Sequence, residues 1–190
     1  MKLYGSYTSP FVRKCRITAI ETGLAERVEF ISTVVMDDAG DHPNPLNMVP
    51  SLTTDDGDLI VDSRVICDHL VTLGSGLADG SDWSDRTLVA MADGLTDRAV
   101  AMALERRRPD VQQSADWQSR RESAIRATLP ELQRRRPSAF TPGAVALTCA
   151  LGYLDFRHPG LDWREDHAEL SDWYAAQQDR ASVRDTEHPR

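Results

Sequence analysis

The chain has 190 residues, 41% hydrophobic and 27% charged, with a formal net charge of −8, an ordinary composition for a soluble globular protein of one large domain or two small ones. That charge argues against nucleic acid or an anionic membrane as the main partner, and the acidic excess is concentrated in residues 31–80, which hold one basic and nine acidic groups. No apolar run approaches the ~20 residues of a membrane span, the N-terminus lacks the apolar segment of a signal peptide, and three scattered cysteines, Cys15, Cys67 and Cys149, fit neither a disulfide framework nor a zinc site; a cytosolic protein with buried thiols is expected.

Residues 1–23 read as a short strand, a tight loop and a helix. Lys2-Leu3-Tyr4 begins the strand, Gly5 to Thr8 supplies the loop, and Ser9-Pro10 is a helix start, a hydroxyl N-cap followed by proline at the first helical position. Phe11, Cys15 and Ala19 recur at i, i+4 and i+8, with Val12 and Ile20 widening the stripe, so this face packs on a sheet while Arg13, Lys14, Arg16 and Glu21 lie off it. The first N–H groups of the helix, with the positive end of the macrodipole behind them, face whatever lies beside Ser9, a place suited to an anion or a thiolate. Taken alone, the stretch fits a bare cap equally well. Cys15 stands nearly two turns into the helix, too far from its N-terminus for the dipole to activate a thiolate there.

Val28 to Ile31 reads as a second strand parallel to the first, and Asp37 to Asn47 as loop. Val49 to Thr53 and Leu59 to Val61 flank Asp55-Asp56-Gly57-Asp58, a hairpin signal that makes these two strands antiparallel. Asp62-Ser63 opens a helix with Ile66, Leu70 and Leu73 on its inner face and a stop at Gly74. Strand, helix, strand, loop, strand, strand, helix is the order of a thioredoxin-like α/β domain with a mixed four-stranded sheet, here residues 1–76.

Beyond a glycine-containing linker the pattern is all helical, from 84 to 190. Ser84 caps a helix with the stripe Leu88, Met91, Leu95, Ala99 and Met102. A helix from about Ser114 carries Trp117, Ala124, Thr128 and Leu132, with a kink or early end at Pro130. The triplets Arg106 to Arg108 and Arg134 to Arg136 each precede a proline, where cations complement a helix C-terminus. Thr141-Pro142 opens a helix that is apolar nearly all round from Val145 to Phe156, the buried centre of this domain. Leu170, Trp173 and Tyr174 mark a last helix, and residues 180–190 read as a polar tail.

Four segments, YTSPFVRKCRI at 7–17, NPLNMVPSL at 44–52, DSRVICDHL at 62–70 and ALTCALGYLDFR at 146–157, together resemble the cytosolic glutathione transferase superfamily, in order and spacing over nearly the whole chain, most of all bacterial members with the SPFVRK opening. The resemblance implies an enzyme that binds glutathione as co-substrate, without a metal, and adds its thiolate to an electrophilic, mainly apolar small molecule lodged between the two domains. It implies a cis Val49-Pro50 bond, Val49 pairing its backbone with the cysteinyl part of glutathione, Pro50 holding that geometry, Phe11 beside the ligand, and Asp62 with Ser63 at the γ-glutamyl end. Ser9 would stabilise the thiolate, with Tyr7 as the rival, since some members use a tyrosine near the end of the first strand. A symmetric homodimer is also implied. The sequence departs from the family pattern at Met48, where many members carry a basic or small polar residue for the glycine carboxylate, and at Ala144, where the central helix lacks the acidic half of its capping box. Met48 speaks for an alternative, a non-catalytic binding or interaction protein on the same fold.

Overall fold

A computed structural model describes residues 1–33 and 42–189. They form two units, Met1–Ala78 together with the chain from Arg180 onward, and Asp79–Asp179.

In the first unit most of the apolar residues fall where the sequence periods put them, while Phe11 and Ile20, expected on the buried stripe of the first helix, are only half-buried. β1 (Lys2–Gly5), α1 (Pro10–Glu21), β2 (Glu29–Ser32), β3 (Ser51–Thr53), β4 (Leu59–Ile60) and α2 (Ser63–Leu73) follow one another, and the sheet order is β2-β1-β3-β4. β1 and β2 are parallel; β3 is antiparallel to both β1 and β4. This is the thioredoxin-like arrangement with its mixed sheet. Leu3 and Leu52 on the sheet meet Cys15 and Ala19 of α1 and Ile66, Cys67 and Leu70 of α2 in one core. Gly57, at φ 91°, supplies the left-handed residue of the β3–β4 hairpin. Leu73, expected inside, is the last residue of α2 and is 45% exposed, and Cys67 fills that face instead. The expected loop over Asp37 to Asn47 lies partly outside the described residues; from His42 to Pro50 the chain is irregular.

Two expectations about this unit are corrected together. Arg13 and Lys14, read as off the buried stripe, are each only 3% exposed, and residues 180–189 are not a free polar tail. They enter through α7 (Ala181–Arg184), with Ser182, Val183 and Thr186 buried. The Arg13 guanidinium donates to Val183 O at 3.1 Å, and Glu21 accepts from both Arg180 and Ser182. The segment looks solvent-bound in composition because its polar groups satisfy a buried arginine and a half-buried carboxylate, which hydrophobic periodicity does not register. The second unit therefore ends at Asp179, and α7 belongs to the first.

The second unit packs α3 (Trp83–Glu105), α4 (Ala115–Arg135), α5 (Pro142–Arg157) and α6 (Ala168–Gln177) around α5, whose residues 143 to 154 are all buried. Leu88, Leu95, Ala99 and Met102 of α3 face it, as their spacing predicts. Asp82 rather than Ser84 caps α3, its Oδ1 accepting from Asp85 N at 2.8 Å. The inner face of α4 is turned one residue from the predicted stripe, to Ile125, Leu129 and Leu132. Pro130 then lies exposed, and the helix continues through it, because the carbonyl that loses its N–H partner can bond to water. Arg134 and Arg135 stand in the last turn of α4 as expected, both on Glu131, which they hold down to about 2. Arg106 lies just past α3 and reaches His158 Nδ1 at 3.0 Å.

The missing half of the α5 capping box is supplied from another helix. Thr141 Oγ1 caps Ala144 N at 3.2 Å, and Asp85 of α3 accepts from Thr141 Oγ1 at 2.5 Å and from Gly143 N at 2.9 Å. An acid three residues after the cap is thus replaced by one that also ties α3 to α5.

Candidate functional site

Strand register gathers the predicted site residues at one end of the sheet. The chain leaves β1 at Gly5 and reaches Ser9 in four residues. β3 runs antiparallel to β1 with Ser51 opposite Tyr4, so Val49 and Pro50 precede it at that same end. β4 pairs Ile60 with Leu52, which returns Asp62 and Ser63 to it as well. The Cys15 thiol of α1 donates to Ser63 O at 3.8 Å, tying the middle of α1 to the start of α2.

Ser9 is a half-buried N-cap in extended conformation whose Oγ accepts from Val12 N at 3.3 Å. Ser9 O takes Arg13 N at 3.0 Å, and Pro10 has no N–H to offer. Phe11 N–H and the Ser9 hydroxyl proton have no acceptor among the described residues. Both are therefore donors available at the positive end of α1. Phe11 is itself half-buried in the first turn.

The Val49-Pro50 bond is cis, as the family resemblance implies, and so is Val61-Asp62. Pro50 is buried and Val49 half-buried. Val49 precedes the first β3 pairing, and among the described residues its N–H and C=O make no hydrogen bond, which leaves a short backbone edge open to an extended ligand. Asn44, only 5% exposed, holds the approach: its Nδ2 donates to Met48 O at 2.8 Å and its Oδ1 accepts from Leu46 N at 3.0 Å. Sequence reading passed over Asn44, although Asn-Pro is an Asx-turn signal. The Met48 side chain is 62% exposed. Asp62 caps α2, its Oδ1 accepting from Arg64 N at 2.9 Å, and Ser63 is 3% exposed at the first helical position. Carboxylate, hydroxyl and helix N-terminus together have the chemistry to receive an α-amino acid group, the carboxylate suiting its ammonium and the N–H groups its carboxylate.

Tyr7 is disposed differently. Its ring centroid lies 4.8 Å from that of Phe30 on β2, with the Arg16 guanidinium 5.0 Å over the ring. β2 flanks β1 on the side opposite β3. The ring thus lies against β2, on the other side of β1 from β3, which Val49 and Pro50 precede. Burial lowers the Arg16 pKa while the neighbouring Tyr7 pulls the other way. Among the described residues no cluster of His, Cys, Asp or Glu is arranged to hold a metal ion, and no helix is long and apolar enough to cross a membrane.

Residues 3–76 match the N-terminal domain model of glutathione S-transferases, and residues 115–176 match the C-terminal domain model. The chain belongs to the glutathione S-transferase family. It is 32% identical over 203 residues to the uncharacterized GST-like protein YibF of Escherichia coli K12, covering all of both chains. A glutathione transferase family member from Pseudomonas fluorescens Pf-5, solved with bound glutathione, is 35% identical with a TM-score of 0.92 over 100% of this chain and 99% of that one. A glutathione S-transferase from Methylobacillus flagellatus, also solved with glutathione, is 33% identical with a TM-score of 0.89 over 99% of each chain.

Proposed function

We propose that this glutathione transferase binds glutathione where β1 ends and the chain turns into β3, holds its sulfur as a thiolate against Ser9, and adds it to an electrophilic, mainly apolar small molecule. The observation that carries the proposal is the Ser9 hydroxyl at the N-terminus of α1: its oxygen is engaged by Val12 N–H, and its own O–H has no acceptor among the described residues. Val49, beside Pro50, would pair its open backbone with the cysteinyl residue, Asp62 and Ser63 would take the γ-glutamyl ammonium and carboxylate, and Phe11 would flank the sulfur. Glutathione bound in similar structures supports the ligand. A free thiol has a pKa of ~8.5, and lowering it by about two units takes ~2.7 kcal/mol. One hydrogen bond to a charged acceptor supplies ~1.5–3 kcal/mol and a partly buried helix end up to ~2, so no metal or histidine base is needed. The packing of the Tyr7 ring, tilted against Phe30, favours Ser9 over Tyr7 for this role.

A homodimer in the cytosol completes the reading. Val65, Val71 and Leu73, exposed along α2 at 50%, 38% and 45%, support a second copy there. The second reading, a glutathione-binding protein without catalysis, draws on Met48, which brings no charge to the glycine carboxylate. Steady-state conjugation of glutathione to an activated aryl halide separates the two. The transferase reading expects turnover in the wild type and a kcat lowered about 10–100-fold in Ser9→Ala with little change in KM for glutathione, the pattern of an interaction made mainly with the thiolate. Glutathione binding without turnover against a panel of electrophiles would favour the second reading.

A further inference from the structure

The Ser9 turn is gripped from a distant part of the chain. Ser9 N–H donates to Ser6 O at 3.1 Å, closing a turn over residues 6 to 9 whose central peptide joins Tyr7 to Thr8. Both ends of that peptide are held. Thr8 N–H donates to Ser6 Oγ at 3.2 Å, and Tyr7 O lies 3.2 Å from His188 Nδ1. A carbonyl only accepts, so Nδ1 carries the proton. Rotation of the central peptide is what converts one β-turn type into another, so these two bonds fix the plane from which Thr8 and Ser9 depart.

The segment that leads to His188 is in turn held by bonds spread along α1. At the C-terminal end of α1, Glu21 accepts from Arg180 at 2.6 and 3.1 Å and from Ser182; burial works against its charge, but these bonds prevail and keep its carboxyl below the ordinary value. Further along, Arg16 donates to Asp185 O at 3.3 Å, and Arg13 donates to Val183 O at 3.1 Å and to Thr186 Oγ1 at 3.5 Å. Residues 180–188 therefore run antiparallel to α1 from Glu21 to the turn before Ser9, with Val183 and Thr186 fully buried and His188 8% exposed. This accounts for Arg13, the buried arginine of the SPFVRK opening, for which the ligand site has no use.

We infer that residues 180–188 form a strap that positions the Ser9 turn, with His188 as the positioning residue and Arg13 as its anchor. For its effect on the thiol the inference rests on the function proposed above; for its effect on the turn it does not. His188→Ala removes the donor to Tyr7 O, and His188→Asn restores one, since an Asn amide N–H can occupy the place of Nδ1–H.

Amide hydrogen exchange of the unliganded protein is the first readout. His188→Ala should speed exchange of the Thr8, Ser9 and Val12 amides about tenfold, the effect of one lost hydrogen bond, with α5 amides unchanged and His188→Asn close to wild type. The second readout, thiolate ultraviolet absorbance of bound glutathione across pH, should show a smaller pKa depression in His188→Ala and recovery in His188→Asn. Unchanged exchange at residues 8 to 12 in His188→Ala overturns the inference whether or not glutathione binds. So does a uniform rise in exchange along the chain that His188→Asn does not reverse, because that marks a general stabilising contact. Faster turn exchange with no thiol shift in the wild type itself supports the strap and overturns instead the role proposed for Ser9.

Discussion

Asp85 carries the cap of the central helix, and its removal should be felt throughout the second unit. Asp85→Ala takes the acceptor from Gly143 N–H and Thr141 Oγ–H, bonded at 2.9 and 2.5 Å in a place where Asp85, Gly143 and Thr141 are all buried. A buried donor left unsatisfied costs about 1–3 kcal/mol. The Thr141 hydroxyl can reorient and the Gly143 amide cannot, so a loss of about 2–4 kcal/mol is expected rather than the sum of two full penalties. Burial raises the Asp85 pKa against the bonds from Thr141 and Gly143, so its ionisation is disfavoured in the folded state. Stability contributed by the protonated form is then present below the ordinary carboxylate value of 3.8 and declines as pH rises through the raised one. Asp85→Asn, which keeps an acceptor for Gly143 N–H and removes the charge, should lose clearly less than Asp85→Ala. All four tryptophans, Trp83, Trp117, Trp163 and Trp173, lie in the second unit, so tryptophan fluorescence in urea reports on it selectively. With an m-value of about 1–2 kcal/mol/M, the midpoint should fall by at least about 1 M in Asp85→Ala. A loss below about 0.5 kcal/mol, or equal losses in the Ala and Asn variants, would refute the cross-helix cap.

His158 donates from Nε2 to Ala99 O at 2.8 Å and accepts at Nδ1 from Arg106 at 3.0 Å, and burial lowers its pKa below 6.5. The unfolded chain therefore takes up a proton first on acidification: stability should fall as pH drops below 6.5 towards the lowered value, by up to about 1.4 kcal/mol per pH unit, and the urea midpoint of His158→Gln should lack that slope. Asn44→Ala, which frees Met48 O and Leu46 N, should weaken glutathione binding about tenfold by calorimetry through the loop that presents Val49; unchanged affinity would remove Asn44 from the site. Tyr7→Phe should leave the thiol pKa of bound glutathione where it is in the wild type, and loss of the shift would move the thiolate role from Ser9 to Tyr7.

Most of the fold was readable because its signals are local. Ser9-Pro10, Asp62-Ser63 and Thr141-Pro142 mark helix starts within two residues, and all three caps are in place. Asp55 to Asp58 marks the hairpin, and the apolar run from Val145 to Phe156 marks the helix the second unit is built around. What escaped is held by partners distant in sequence. Asp85 caps a helix 56 residues away, and Arg13 is buried by bonds to a segment 170 residues further on. Hydrophobic periodicity reads such side chains as solvent-facing because it scores residue type and not pairing. On α4 the miss had another source: Ala124 and Thr128 stand one residue from Ile125 and Leu129, and Trp117, only partly buried, drew the expected stripe towards itself. In the candidate site the residues were named in advance through the family resemblance and are brought to one sheet end by strand register, while Asn44, a positioning group rather than a contact, was not.

The measurement that bears most directly on the central claim is the pKa of the glutathione thiol bound to wild type and to Ser9→Ala, read from thiolate ultraviolet absorbance across pH. A depression of about two units below the free value of ~8.5 in wild type, largely lost in Ser9→Ala while binding persists, is the predicted result. A thiol bound with an unshifted pKa, or a shift that survives in Ser9→Ala, would contradict the assignment of Ser9.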